Sequence, residues 1–83
     1  MAKILVIDDD TSLLQLIKNA LENDHNITTY TGLSNVSVRD INTHDLLILD
    51  VMMPELDGFT FLKEKRREID IPVSVSYTHL TLP

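Results

Sequence analysis

Two short apolar runs, Ile4 to Ile7 and Leu46 to Leu49, each end in aspartate, and this feature constrains the chain most. Uninterrupted runs of branched residues of this length are strands covered on both faces, as in a parallel sheet. Between them Leu13, Leu14, Ile17, Ala20 and Leu21 recur at helical spacing, and Asp10 or Thr11 stands where a first turn needs a cap. Ile27 to Tyr30 is more polar and suits a sheet edge, and Ser34 to Ile41 reads as a weak helix. After Asp50, Pro54 holds Met53 extended, a helix is expected from about Phe59 to Glu68, and Ile71 to Val73 open a further strand. The alternation β-α-β-α-β-α-β gives an α/β fold, a doubly wound open parallel sheet with right-handed crossovers.

In such a sheet ligands bind beyond the carboxyl ends of the strands, so Asp8, Asp9 and Asp50 should meet at one edge. Like charges gathered there raise one another's pKa and need a compensating cation. Oxygen-only ligands point to Mg²⁺, which keeps waters and accepts a phosphate oxygen. A carboxylate beside such an ion is placed to take a phosphoryl group as an acyl phosphate.

Composition limits the alternatives. At 83 residues there is room for one domain, able to bury only about 60–65% of its unfolded surface. An apolar fraction of 43% with 24% charged residues calls for a core. Seven Lys and Arg against thirteen Asp and Glu, net −6, argue against nucleic-acid contact by this segment. There is no cysteine for a disulfide or a thiolate site. The opening MAKILVIDDD fits neither a signal peptide nor a membrane span, so a cytoplasmic location is expected.

The stretches ILVIDDD, DLLILDVMMPELDGF and IDIP, over Lys3 to about Val73, resemble the receiver domain of two-component response regulators. The element from Asp50 to Gly58, D-x-x-M-P-x-x-D-G after an apolar strand, carries most of the likeness. The resemblance implies a flavodoxin-like fold of strand order 2-1-3-4-5. It further implies Asp50 as phosphoacceptor from a sensor histidine kinase, Asp9 as a direct Mg²⁺ ligand, Asp8 as a ligand through water, and the Met52 backbone carbonyl as a further ligand. Such a domain is a phosphoacceptor and not an enzyme in the ordinary sense, and regulators often append a DNA-binding output domain.

Other residues have plainer uses. Asp10 and Asp57 both stand at helix starts and are read as caps. Met52 and Met53 are read as packing, and His25 and His44 as solvent-facing loop residues without ligand partners. Lys65 shares the inward stripe of the third helix with Phe61 and Leu62, where the family has an apolar residue, so its stem should snorkel outward.

Two rival readings compete. ILVIDDDTSL approximates the strand-end motif of haloacid-dehalogenase-like phosphatases, with Asp8 as nucleophile and Asp10 as acid/base, but nothing in that family accounts for the element after Asp50. The second rival is a receiver-like interaction module that is never phosphorylated, against which Asp8, Asp9 and Asp50 together argue.

The ending IPVSVSYTHLTLP departs from the family. Counting from Pro72, the phosphate-binding Ser or Thr should be residue 77, which is Tyr77; Thr78 is one residue late and would face the other way. Residues 75–83 can be reverse-translated into a sequence that resembles one reading frame of a transposon-based sequencing adapter. The expected division is therefore a partial receiver over 1–73 and a non-native tail over 74–83, with the fifth strand, its Lys, and the fourth and fifth helices missing. One sheet face under the first and third strands should then lack half its cover, favouring aggregation or a molten state.

Overall fold

The computed structural model describes residues 1–51 and 58–76. The elements run β1 (Lys3–Ile7), α1 (Thr11–Leu21), β2 (Asn26–Tyr30), α2 (Val38–Asn42), β3 (Leu46–Asp50), α3 (Gly58–Lys65) and β4 (Val73–Ser76). All four strands are parallel, in the order β2-β1-β3-β4, which puts the polar β2 at an edge as its composition predicts.

The period of two along each strand divides the apolar residues between two faces. Leu5, Ile7, Leu47 and Leu49 pack with Leu33, Val36, Ile41 and Ile69 on one side, joined by half-buried Phe61 and Leu62 of α3. Removing each such side chain from water is worth about 1.5–3 kcal/mol. On the other side Ile4, Val6 and Leu14 form a smaller cluster, edged by Ile17, Leu21, Leu46 and Ile48. The expected thin cover is seen under β3, where Leu46 and Ile48 stay half-buried, but β1 is closed off by α1: Ile4 and Val6 are buried.

Local chemistry fixes the helix ends. Asp10 is the N-cap of α1, its Oδ1 accepting from the Ser12 and Leu13 amides at 3.0 and 3.2 Å. Of the expected α1 stripe, Leu14 is buried and Leu13, Ile17 and Leu21 are half-buried, but Ala20 is exposed. At 3.6 residues per turn Ala20 falls on the flank of the stripe, and its methyl is too short to reach the sheet.

The second helix is shorter than expected and begins later. Ser37 Oγ accepts from the Asp40 amide at 3.1 Å while the Ser37 amide donates to Asp40 Oδ2 at 3.2 Å, a capping box that starts α2 at Val38. Leu33 and Val36 still fill the core, from the loop before it. The third helix ends at Lys65 and not Glu68, because the Glu68 and Ile69 amides both turn back to the Lys65 carbonyl, at 2.9 and 3.1 Å. Lys65 itself is directed outward: its side chain is 43% exposed and Nζ lies 3.8 Å from Glu68.

The entry to β1 is held from both sides. The Ala2 amide donates to His25 Nδ1 at 3.0 Å and the Lys3 amide to Asp45 Oδ2 at 2.8 Å. His25 is therefore half-buried and hydrogen-bonded, where the sequence suggested a solvent-facing loop residue. His44 is likewise half-buried, with Nδ1 2.8 Å from the Asp40 carbonyl, where a solvent-facing residue was expected.

Candidate functional site

Parallel pairing with Ile7 opposite Leu49 brings the ends of β1 and β3 side by side, so the residues that follow arrive at one edge of the sheet. Asp8 and Asp50 are there, 2% and 0% exposed, and are the buried charged residues among those described. Asp9 is half-buried beside them. One carboxylate oxygen from each of Asp8, Asp9 and Asp50 lies within 4.8 Å of the others. The convergence expected from two Asp-terminated strands is therefore present, built by register and not by local sequence.

Buried carboxylates need partners or they neutralise. Asp8 is fixed at both backbone and side chain: its amide donates to the Tyr30 carbonyl at 3.1 Å, and its Oδ1 accepts from the Asp10 amide at 2.9 Å. Burial is the largest influence on its carboxyl, pushing its pKa from the ordinary 3.8 up to about 6. The Asp10 amide opposes that rise, while the charge of Asp50, a side-chain hydrogen bond with Asp50 and the charge of Asp9 add to it. The three groups form a site of concentrated negative potential that a proton or a divalent cation relieves.

The donor set suits Mg²⁺, which takes oxygen ligands: three carboxylates, two of them at strand ends. The Met52 carbonyl, expected as a further ligand, lies outside the described residues, as do Met53 and Asp57. Asp10 belongs to the helix cap and not to the cluster. That commitment removes the acid/base partner which a phosphatase reading assigns to it.

Sequence counting missed one relationship. The residue opposite Asp50 on β4 is Ser76, through the register Leu47 to Val73 onward. Residues 77 and 78, on which the family's hydroxyl was sought, lie outside the described residues.

Comparison with known proteins decides the family. The model of the response regulator receiver domain matches residues 4–81. The chain belongs to that family. Among its receiver relatives, the transcriptional regulatory protein SpaR of Bacillus subtilis is 39% identical over 74 residues, covering 88% of this chain and 34% of SpaR. The receiver domain of the Francisella response regulator 1452 superposes with a TM-score of 0.76 at 33% identity, over 95% of this chain and 72% of that one. The response regulator TrrA of Thermotoga maritima, solved in complex with Mg²⁺ and beryllium fluoride, gives a TM-score of 0.67 at 28% identity, over 95% of this chain and 73% of that one. This receiver spans about a third of the length of the curated relatives it matches. No helix among its described residues is long and apolar enough to cross a membrane.

Proposed function

We propose that Asp50 is the phosphoacceptor of a two-component phosphorelay, taking its phosphoryl group from a sensor histidine kinase, with Asp8, Asp9, Asp50 and the Met52 carbonyl holding Mg²⁺. The observation that carries this reading is the convergence of Asp8, Asp9 and Asp50 within 4.8 Å at the carboxyl edge of the sheet. Bound there, Mg²⁺ would neutralise phosphoryl oxygens and so lower the cost of bringing an anionic donor to an anionic nucleophile.

The residues divide the work. Asp50 ends a buried strand that pairs with β1 as far as Leu49 and with β4 at Asp50 itself. Asp8 and Asp9 follow β1 and supply the opposing oxygens, with the Asp10 amide fixing the orientation of Asp8. The neutralising role of the cation gives the reason for keeping a carboxyl as perturbed as that of Asp8 in the fold. TrrA's complex with Mg²⁺ and beryllium fluoride supports the same use of this site. Its relative SpaR is a transcriptional regulatory protein, and we assign the parent of this receiver the same kind of output in the cytoplasm.

The division after Val73 is part of this proposal. The likeness of residues 75–83 to translated adapter sequence supports it, and coding sequence read independently from genomic DNA tests it: continuous SYTHLTLP there refutes a non-native tail. For the site itself the test is a Mg²⁺ titration followed by backbone NMR. Saturable shifts centred on Asp8, Asp9 and Asp50 are expected, and their absence would reject the metal site.

A further inference from the structure

The end of α3 carries a charge pattern unlike the rest of the chain. Lys63, Lys65, Arg66 and Arg67 are four of its seven basic residues. With Glu64 set aside among them, the remaining 78 residues hold three bases against twelve acids. Lys63 and Lys65 have an ordinary explanation, since cations in a last helical turn favour the negative end of the helix dipole. Arg66 and Arg67 lie beyond the helix, in a turn whose backbone already bonds to the Lys65 carbonyl. Lys63, Arg66 and Arg67 are exposed, and among the described residues the one ion pair is between Lys65 and Glu68.

The arginines also stand on a fixed platform. Asn42, the last residue of α2, donates from Nδ2 to the Glu68 carbonyl and accepts at Oδ1 from the Asp70 amide, both at 2.8 Å. Ile69 between them is buried. Because α3 runs back against the strand direction, this turn lies by the entry to β4, at the opposite edge of the sheet from Asp50. The patch is therefore separate from the acidic site.

A guanidinium presents a planar fork matched to a carboxylate or a phosphate. Over residues 63–70 four bases face three acids, Glu64, Glu68 and Asp70, a net of +1; with Glu68 turned to Lys65, screening over about 8 Å at physiological ionic strength leaves Arg66 and Arg67 as the charges a short ligand meets. A duplex nucleic acid reaches well beyond that distance and would meet the acidic remainder of a body measuring 34 × 29 × 23 Å. We propose that Lys63, Lys65, Arg66 and Arg67 form a docking surface for an acidic segment of a partner protein.

The test uses the intact 83-residue chain at low and physiological salt, with fluorescence anisotropy of a labelled hexaglutamate peptide and, separately, of a labelled random-sequence duplex DNA. Binding of the peptide that weakens with salt, and by about tenfold in the Arg66→Glu/Arg67→Glu variant but not in Lys18→Glu, supports the surface. Arg66→Gln/Arg67→Gln gives the same comparison if charge reversal prevents folding. Equal peptide binding by wild type and variants overturns the proposal, as does no binding at low salt. Duplex DNA that loses affinity in the variants while the peptide does not also overturns it, in favour of a nucleic-acid surface.

Discussion

Asp8 and Asp50 face each other across the ends of β1 and β3, a carboxylate oxygen of each within 4.8 Å of the other, although both are buried acids. Two carboxylates this close repel each other, and a proton or a divalent cation relieves the repulsion. A proton and a metal ion therefore compete for the same oxygens.

The first consequence is a pH dependence of stability. A carboxyl whose pKa rises on folding, here Asp8 from 3.8 to about 6, holds its proton more tightly in the folded state. This contribution favours the fold most below the lower value, falls as pH rises between the two, and is flat above. Without divalent cations, Asp8→Asn should be more stable than wild type by ~3 kcal/mol at pH 7, with the gap closing towards pH 4. Urea denaturation of the pair at several pH values measures it, and a gap independent of pH would contradict the assignment.

Mg²⁺ competes with the same proton. Its apparent affinity for wild type should rise as pH passes through about 6 and then level off, and calorimetric titration across that range checks this.

Asn42→Ala should remove both 2.8 Å bonds to the turn after α3, at a cost of about 1–3 kcal/mol. The specific readout is hydrogen exchange at the Asp70 amide. Its protection should fall by more than that of amides in β1.

Asp10→Ala should remove the α1 cap and cost about 1 kcal/mol, while leaving Mg²⁺ affinity unchanged. Thermal unfolding and the titration above check the two halves separately. A large loss of metal affinity would mean that Asp10 belongs with the acidic cluster after all.

How far the sequence could be read depended on the range of the interaction involved. β1 and β3 were legible because an apolar run closed by aspartate has few other uses in a small soluble chain, and the convergence of Asp8, Asp9 and Asp50 followed from parallel pairing. The α1 cap at Asp10 was legible because it is local. The start of α2 was not, since Leu33 and Val36 have helical spacing but reach the core from a loop, and Ser37 with Asp40 decides the boundary. His25 and Asn42 escaped notice for another reason: their partners, Ala2, Glu68 and Asp70, are distant in sequence, and no local pattern announces such bonds.

Phosphoryl incorporation tests Asp50 as the acceptor. The chain is incubated with Mg²⁺ and an acyl phosphate donor such as acetyl phosphate, and intact mass and peptide mapping follow the product. One phosphoryl group is expected on Asp50, not formed when the metal is chelated beforehand, abolished by Asp50→Ala and only slowed by Asp8→Ala. Incorporation that survives Asp50→Ala but disappears in Asp8→Ala would contradict it and make Asp8 the nucleophile.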